Sequence, residues 1–434
     1  MRHQVSFAVA EIARFKGQLL QWSSRFEEIA WLDSNAHADR YSAFDALLAV
    51  DAQTLMSADA SDAFKDLSDY RAIVNDWIFG YLSYDLKNDV ERLTSKNTDR
   101  LHFPDIYFFQ PKKIIRIRGD IIDFIYLVGV ADEIEMDFKA ISEMEIPGLN
   151  DIAPTTNVRI KLAIFKDEYY RRVGKMLDHI HRGDLYEANF CQEFYAENTH
   201  INALMTYRKL NAISKAPFAS FLRMDDKYLL SASPERYLRK KSNMVVSQPI
   251  KGTARRSGDP QTDLLLKTAL EQDGKERAEN IMIVDLVRND LSKSARKGSV
   301  SVVELCEVRS YEQVHQMMST VTAIVAPDKI PEELLKETFP MGSMTGAPKV
   351  SAMKIIEALE SFRRGLYSGA VGYLTPEGDF DFNVVIRSIL YNDTEKYVSF
   401  SVGSAITAKA SPEAEYQECL LKAKAMREVL EGYV

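Results

Sequence analysis

Cysteine is scarce in this sequence. Its 434 residues include three cysteines, Cys191, Cys306 and Cys419, which lie far apart without a CxxC pair. This spacing excludes a disulfide scaffold and a structural zinc site, and it is typical of proteins of the reducing cytosol. A nucleophilic thiol at Cys191 or Cys306 is an alternative to a buried, unreactive one.

Positive charge and long hydrophobic runs are also lacking. The sequence has 55 Lys and Arg against 63 Asp and Glu, a formal net charge of −8. Nucleic acids and anionic membranes bind basic surfaces, so we expect neither as a partner. The longest apolar run, near residues 121–131, is interrupted by Asp123 and is too short to span a bilayer. The residues after Met1 lack the apolar segment of a secretory signal, so we expect a cytoplasmic protein.

The composition is otherwise that of a globular protein, with 46% hydrophobic and 27% charged residues and no internal repeat. A polar, proline-containing stretch at residues 145–157 is the best candidate boundary, and it divides the chain into an N-terminal lobe (1–150) and a second region (151–434). An amphipathic helix pattern covers residues 166–182, and strand-like runs then follow with long helical segments between them. This order predicts an α+β fold with large, mainly antiparallel sheets, onto which the N-terminal part also packs.

Lys251, in the segment 249–253 (PIKGT), is the strongest candidate for a reactive side chain. Glycine, threonine and nearby acids frame it, among them Glu235 in the segment SPE. Burial or a neighbouring cation can lower the pKa of an amine and free its lone pair, so Lys251 is a candidate nucleophile. A lysine exposed on a surface strand is the alternative.

Two pairs of acidic residues have the same spacing. Glu276 and Glu279 are three residues apart in a helical pattern. Glu415 and Glu418 repeat this spacing, with Lys422 one turn further along the same helix. If the two helices face each other, four carboxylates converge and predict a divalent cation, for which Mg²⁺ is favoured over Ca²⁺ because few ligands and an anionic substrate are expected. Solvated acids beside basic neighbours are the alternative.

Other candidate binding residues lie in loops and strands. The segment 342–349 (GSMTGAPK) leaves backbone N–H groups at a predicted helix start free for a carboxylate, and it lacks the spacing of a phosphate loop. Arg387, between apolar strand residues, is either an outward-facing charge or a carboxylate clamp. Tyr373 is a further candidate, and His315 is either a hydrogen-bonded structural residue or a catalyst. Together these residues predict a Mg²⁺-assisted enzyme acting on a small carboxylate.

The order of these motifs resembles that of the chorismate-utilising enzymes, a family that includes anthranilate, aminodeoxychorismate, isochorismate and salicylate synthases. The resemblance is dense over residues 165–430 and thinner before them, where residues 79–85 (FGYLSYD) match. It implies sheets packed as a sandwich with helices outside, as in anthranilate synthase component I. It also implies that residues 1–150 form the N-terminal lobe of that fold and that residues 151–434 form the chorismate-binding catalytic region.

Within this family, the residue after Pro-Ile distinguishes the activities. Anthranilate synthases read PIAGT and aminodeoxychorismate synthases read PIKGT, so Lys251 implies amination of chorismate to 4-amino-4-deoxychorismate, for 4-aminobenzoate and folate synthesis. The resemblance implies that Lys251 adds to the ring, that Glu235 protonates the departing hydroxyl, and that ammonia then displaces the lysine. An anthranilate synthase component of tryptophan synthesis is the alternative.

The resemblance also implies the remaining roles. Mg²⁺ would be held by Glu279 and Glu418, with Glu276 and Glu415 close by. His315 is implied as a catalytic residue, and the implied substrate-binding residues are Thr253, Thr345, Gly346, Tyr373, Arg387, Gly403, Ser404 and Lys422. The sequence contains no GxCxG nucleophile turn, so we expect ammonia to come from a separate glutamine amidotransferase subunit.

Two segments depart from the family pattern. Residues 186–189 read YEAN where many relatives have YQVN, so Glu187 stands where isochorismate-forming relatives have a water-activating lysine. This difference disfavours water as the nucleophile. Residues 403–406 read GSAI instead of GAGI, and Ala405 in place of glycine narrows the backbone conformations available there.

Overall fold

The fold is described from a computed structural model, and the described residues are 1–37, 39–149, 151, 158–311 and 314–432. The candidate boundary at residues 145–157 therefore lies partly outside them, because residues 150 and 152–157 are not included. No helix within the described ranges combines the length and the apolar character needed to cross a membrane.

Strands and helices alternate irregularly along the chain. The strands are β1 (Arg2–Ala8), β2 (Glu28–Asp33), β3 (Ala46–Ala58), β4 (Ile78–Leu82), β5 (Ile106–Arg118), β6 (Ile121–Leu127), β7 (Lys161–Leu162), β8 (Glu187–Ala196), β9 (Phe218–Met224), β10 (Lys227–Ser233), β11 (Arg236–Lys241), β12 (Met244–Gln248), β13 (Ile250–Arg255), β14 (Ser301–Ser310), β15 (Val314–Ile324), β16 (Gly346–Ala347), β17 (Ala370–Leu374), β18 (Phe380–Val384), β19 (Ser388–Asn392) and β20 (Tyr397–Thr407). The α-helices are α1 (Ile12–Ser23), α2 (Ala63–Val74), α3 (Lys87–Val90), α4 (Ile134–Ser142), α5 (Lys166–Arg182), α6 (Ala203–Ser214), α7 (Pro260–Gln272), α8 (Gly274–Ser292), α9 (Pro331–Thr338), α10 (Lys349–Leu359) and α11 (Pro412–Glu431).

The strands form one continuous hydrogen-bonded ladder, in which every pairing between described strands is antiparallel. One layer runs through β8, β20, β19, β10, β9, β2 and β3. The other runs through β5, β4, β17, β18, β11, β12 and β15, with β13 and β14 also paired to β15. The predicted α+β class with large antiparallel sheets is confirmed.

The long strands β3 and β5 join the two layers. The end of β5 near Ile117 pairs with β6, whereas the end near Ile106 pairs with β4. The pairing of β3 with β5 shifts register between Ala52 and Thr54, the kind of irregularity that bends a strand. One pair of strands therefore continues from the first layer into the second.

The core consists of two large hydrophobic clusters, one on each face of the first layer. Ile29 and Trp31 of β2 belong to the cluster that α1, α5, α6, α10 and α11 cover, whereas Ala30 and Leu32 belong to the cluster between the layers. This division follows from the alternation of side chains along a strand. The resulting architecture is a sandwich with helices outside, as the family resemblance implied.

Strands from before residue 150 lie inside the same ladder as the later strands. Strand β2 pairs with β9, and β4 pairs with β17. The division into residues 1–150 and 151–434 stays a prediction, and the pairing shows that the two parts share sheets and the core between the layers.

Candidate active site

A cavity of about 410 Å³ lies where helices α8 and α11 approach strands β13, β15 and β20. This volume is typical of sites for small organic ligands. The predicted site residues that line it are Glu235, Lys251, Thr253, Glu276, Glu279, Arg387, Gly403, Glu415, Glu418 and Lys422. The fold therefore brings the lysine, both acidic pairs and two cationic side chains to one place.

Lys251 lies on β13, and its ammonium donates a hydrogen bond to Glu187 Oε1 at 3.2 Å. Burial acts to lower the pKa of this amine, but the charges of Glu187, Glu279 and Glu235 outweigh it and raise the pKa of Lys251 above its ordinary value. We expected burial or a cation to lower this pKa, and the surrounding carboxylates explain the opposite result. Lys251 is thus an ammonium in this state and must lose a proton before it can act as a nucleophile.

Glu235 follows β10 and is 4% exposed. Burial raises the pKa of its carboxyl to about 7, although the Lys251 charge acts in the opposite direction. A substantial fraction of Glu235 therefore carries a proton near neutral pH, as a general acid requires. Lys251 and Glu235 line the same cavity, so the arrangement combines an amine and an acid at one site.

The two acidic pairs reach the cavity from helix starts. Helix α8 is capped by Asp273, whose carboxylate accepts hydrogen bonds from the backbone N–H groups of Lys275 and Glu276. This places Glu276 and Glu279 in the first turns of the helix, facing the cavity. Helix α11, near the C-terminal end of the chain, begins with Pro412. Its first turns bring Glu415 and Glu418 to the same cavity.

Lys275 lies between the acidic helices. Its Nζ is 3.7 Å from Glu279 Oε1 and 3.3 Å from Glu415 Oε1. Burial raises the pKa of Glu279 to about 7 and also raises the pKa of Glu276, and the charges of neighbouring carboxylates act in the same direction. The ammonium of Lys275 thus compensates only part of the negative charge between the helices.

The carboxylate oxygens between the helices are of the kind that a magnesium ion binds. Glu279 Oε1 and Glu415 Oε2 are buried and accept no hydrogen bond from a described residue. Among the described residues, no group of three or more His, Cys, Asp or Glu side chains is assembled closely enough to hold a metal ion alone. Mg²⁺ takes hard oxygen ligands, keeps several waters and needs few protein carboxylates, so buried glutamate oxygens without a hydrogen-bond donor would suit it.

Arg387 and Lys422 bring positive charge to the cavity. The guanidinium of Arg387 makes no hydrogen bond or ion pair within the described part of the chain, and burial lowers its pKa although Glu418 partly offsets this. Lys422 donates a hydrogen bond to the Gly403 carbonyl at 2.9 Å and pairs with Glu418 at 2.6 Å. Burial acts to raise the pKa of Glu418, but the charge of Lys422 outweighs it and lowers the pKa. An unpaired guanidinium is suited to binding a carboxylate.

His315 lies outside this cavity. Its strand neighbours Val314 and Gln316 line the cavity, and alternate strand residues point to opposite faces, so His315 points away. It is 1% exposed, with Nε2 3.1 Å from Asp263 Oδ1 and Nδ1 2.9 Å from Ser310 Oγ. This environment is that of the hydrogen-bonded structural histidine, the alternative stated above, and a catalytic role for His315 stays a prediction.

Tyr373 and Ser404 are also directed elsewhere. Tyr373 on β17 packs between the layers, with its ring stacked on Trp77 at a centroid distance of 5.4 Å. Ser404 on β20 points to Tyr169, whose hydroxyl lies 3.3 Å from the serine Oγ. Neither side chain lines the cavity, although the strand neighbours of Ser404 do.

Thr345 and Gly346 do not line the cavity, although Ser343 and Met344 just before them do. The buried Thr345 hydroxyl donates to the Met341 carbonyl at 3.2 Å. Gly346 pairs with Ala188 of β8, and a Cβ at this glycine would lie 2.1 Å from the Glu187 carbonyl oxygen. A side chain cannot be accommodated at that distance, so glycine permits the close approach of β16 to β8.

Sequence reasoning missed several residues at the site. Asn189, Gln316 and Tyr367 line the cavity, and Lys275 bridges its acidic helices. The period-two alternation of β15 could have indicated Gln316 in place of its neighbour, whereas Tyr367 carries no signal in the sequence. The Tyr367 hydroxyl contacts Cys191 Sγ at 3.7 Å, and burial raises the pKa of that thiol, which favours the unreactive alternative for Cys191.

A protonated glutamate and a lysine in one cavity, beside carboxylates suited to a metal ion, are the machinery of an enzyme. The family model described as chorismate binding enzyme matches residues 19–428. The chain belongs to this family of chorismate-binding enzymes.

One plant relative and one bacterial relative are named aminodeoxychorismate synthases. The chain is 36% identical over 391 residues to a probable chloroplastic aminodeoxychorismate synthase of Oryza sativa subsp. japonica, covering 81% of this chain and 43% of that protein. It is 40% identical over 267 residues to aminodeoxychorismate synthase component 1 of Klebsiella aerogenes, covering 62% of this chain and 58% of that protein. The alignment thus spans less than half of the rice relative's length.

Other relatives carry different names. Anthranilate synthase component 1 of Thermus thermophilus is 33% identical over 360 residues, covering 82% of this chain and 77% of that protein. The crystal structure of anthranilate synthase component I from Streptococcus pneumoniae matches with a TM-score of 0.76 at 25% identity, covering 90% of this chain and 94% of that one. The isochorismate synthase MenF of Escherichia coli matches with a TM-score of 0.75 at 18% identity, covering 99% and 95%, which shows a shared fold.

Proposed function

We propose that this chain is the chorismate-aminating component of an aminodeoxychorismate synthase, which converts chorismate and ammonia to 4-amino-4-deoxychorismate. The observation that carries the proposal is the presence of Lys251 and the proton-bearing Glu235 in one cavity. Substitution of the ring hydroxyl needs a nucleophile and an acid for the leaving oxygen. The names of the rice and Klebsiella relatives support this activity.

The proposed reaction has two halves. Lys251 Nζ, once neutral, forms a bond to the chorismate ring while the carbon–oxygen bond to the ring hydroxyl breaks. Glu235 gives its proton to the departing oxygen, which leaves as water. Ammonia then forms a bond to the carbon that lost the hydroxyl, and the bond to Lys251 breaks. Covalent catalysis thereby replaces one difficult substitution by two easier ones.

We assign the two carboxylates of chorismate to different parts of the cavity. Arg387, with the backbone at Gly403, binds the enolpyruvyl carboxylate, because its guanidinium is otherwise unpaired. The glutamates of α8 and α11 would hold Mg²⁺, which would supply positive charge for the ring carboxylate. Thr253 and Lys422 line the cavity between these two groups.

The proposed reaction also needs a source of ammonia. We assign this to a separate glutamine amidotransferase subunit, since the sequence lacks the GxCxG nucleophile turn. We expect free ammonium to replace that subunit in vitro. The product would serve 4-aminobenzoate and folate synthesis, and the scarcity of cysteine accords with a cytoplasmic enzyme.

Product identification tests the proposal. The purified chain is mixed with chorismate, Mg²⁺ and excess ammonium at mildly alkaline pH, and the products are separated by liquid chromatography and identified by mass spectrometry. We expect an aminated product that keeps its enolpyruvyl group and that an added lyase converts to 4-aminobenzoate.

Anthranilate with released pyruvate would contradict the proposal and assign the chain to the anthranilate synthases. Lys251→Ala is the matched variant, and we expect it to lose most amination while it stays folded, because it removes the amine and leaves the acid. Unchanged turnover in this variant would remove the covalent role of Lys251.

A further inference from the structure

Glu187 forms a buried ion pair with the proposed nucleophile. Lys251 Nζ lies 3.2 Å from Glu187 Oε1, and the two side chains are 13% and 2% exposed. Among the described residues, Glu187 is the only carboxylate within ion-pair distance of this ammonium. Its second oxygen, Oε2, is buried and has no hydrogen-bond partner in the described part of the chain. One carboxylate oxygen thus binds the lysine, and the other is free to hold a proton.

The position of Glu187 is set by backbone contacts on both sides. It pairs with Ala347 of β16 and with Thr407 of β20. The close approach of Gly346 to the Glu187 carbonyl holds β16 against β8. Glu187 is not among the residues that line the cavity, so its charge lies behind Lys251 and does not face an anionic substrate directly.

Resting on the proposed function, we infer that Glu187 accepts the proton of Lys251 Nζ before the amine attacks chorismate and returns it at the end of the cycle. Glu187 touches no substrate in this scheme, but it contacts the reacting Lys251 Nζ and therefore acts as its general base. Transfer within the pair removes two buried charges together, so no proton has to reach solvent from a closed site.

The protons balance over the whole cycle. Glu187 takes one proton from the Lys251 ammonium, and the neutral amine forms the carbon–nitrogen bond and becomes a secondary ammonium. The ring oxygen leaves as water with the proton of Glu235. When ammonia displaces the lysine, the free amine recovers its proton from Glu187, and the new ammonium on the ring returns a proton to Glu235. Chorismate and ammonia thus give the amine and water, and both glutamates are restored.

Other charged groups face Lys251 but are less suited to this step. Those that act on it, or on which it acts, are Glu187 of β8, Glu235 after β10, Glu276 and Glu279 of α8, and Glu418 of α11. Glu235 must carry its own proton to the leaving oxygen. The three helix glutamates are the proposed magnesium ligands, and none of them lies within ion-pair distance of Lys251 Nζ among the described contacts.

The test compares wild type with Glu187→Gln as a function of pH. The enzyme is mixed with chorismate and Mg²⁺ without ammonium, and intact-protein mass spectrometry follows the adduct whose mass is chorismate less one water. In the variant the proton must leave to solvent, so the rate of adduct formation relative to wild type should rise about tenfold per pH unit until the amine is neutral. A merely structural defect would lower the relative rate by the same factor at every pH.

Two further variants complete the test. Glu187→Asp keeps a carboxylate, and we expect its rate relative to wild type to be independent of pH even where the absolute rate is lower. Glu193→Gln changes another buried glutamate of β8, which accepts a hydrogen bond from Tyr397 at 3.0 Å outside the cavity, and its relative rate should stay near one. Amination rates of each variant relative to wild type, taken at each pH with the same total ammonium, give a second measurement. The concentration of free ammonia is then equal for the two enzymes compared.

The outcomes separate this inference from the proposed function. A wild-type adduct together with a pH-independent relative rate for Glu187→Gln overturns the role of Glu187 alone. Full amination by Lys251→Ala overturns the covalent mechanism and the inference with it. A relative rate that rises with pH in Glu187→Gln and stays level in Glu187→Asp supports both.

Discussion

Lys251 and Glu235 share one cavity but are held in protonation states suited to different tasks. The carboxylates around Lys251 keep it an ammonium, whereas burial keeps a proton on Glu235 near neutral pH, with its pKa raised to about 7. In this state of the free enzyme, Glu235 carries the proton that a general acid needs, whereas Lys251 is protonated and cannot attack the substrate. The amine therefore needs a proton acceptor, and Glu187 is the carboxylate in contact with it.

Glu235→Gln tests the acid directly. We expect turnover to fall by about 10²–10⁴, the usual contribution of a general acid. Because the pKa of Glu235 is raised to about 7, its proton is present below that pH and lost above it, so wild-type adduct formation should decline as pH rises past about 7. The variant should show no such decline, measured by single-turnover adduct formation without ammonium.

Glu193→Gln is the matched control for this prediction. Burial also raises the pKa of Glu193 to about 7, but its partner is Tyr397 and it lies outside the cavity. This control should keep both the rate and the decline of wild type. A decline above neutral pH that persists in Glu235→Gln would assign the acid to a different group.

At the scale of elements, helix starts position the proposed metal ligands. Helix α8 begins at the cap provided by Asp273, and α7 begins at a cap of the same kind, in which Asp259 accepts a hydrogen bond from the Thr262 backbone. Of these two helices, α8 carries glutamates to the cavity, whereas no described residue of α7 lines it. Helix geometry thus converts the i, i+3 spacing of Glu276 and Glu279 into a shared direction.

Asp273→Ala tests this positioning. Loss of the cap should destabilise the protein by about 1 kcal/mol, because two backbone N–H groups lose their acceptor. Mg²⁺ affinity should fall by about tenfold, the usual scale for a group that orients metal ligands. Chemical unfolding measures the first effect, and calorimetric titration of Mg²⁺ in the presence of chorismate measures the second.

Asp259→Ala separates stability from metal binding. It removes the equivalent cap of α7, so we expect a similar loss of stability with unchanged Mg²⁺ affinity. Equal Mg²⁺ affinities in the two variants would show that the start of α8 does not orient the proposed ligands.

At the scale of the whole molecule, the two predicted parts share their sheets and one core. Strand β2 pairs with one edge of β9, and β4 pairs with one edge of β17. Strands from before residue 150 therefore satisfy backbone hydrogen bonds of later strands. The cluster between the layers combines Phe79 and Tyr81 with Val371 and Phe382 from the second part. The cavity belongs to the second part, but the sheets that position it depend on both.

The fragment 151–434, expressed alone, tests this dependence. We expect it to lose cooperative unfolding and to associate, because β9 and β17 would expose unpaired edges and the core between the layers would lose one side. Size-exclusion chromatography and hydrogen exchange of β17 measure these effects against the full chain. A monomeric fragment with native protection in β17 would establish residues 151–434 as an independent domain.

The sequence was sufficient for the fold class, the family and much of the site. Period-two and helical patterns predict strands and helices, and the spacing of Glu276 with Glu279 and of Glu415 with Glu418 indicates two acidic helix faces. Lys251 and Glu235 lie in short motifs whose residue types carry chemistry. These features are local, so they can be read without knowing which distant segments meet.

Only the tertiary structure decided which candidates reach the cavity and in which protonation state. Strand β15 directs Gln316, and not His315, into the cavity. Which of its two faces lines the cavity depends on how β15 pairs with β13 and on the helices that pack against it. The pKa of Lys251 is raised, against expectation, because β8 brings Glu187 to its ammonium from sixty-four positions away. Register and charge depend on contacts between segments that are distant in the chain, which local patterns do not specify.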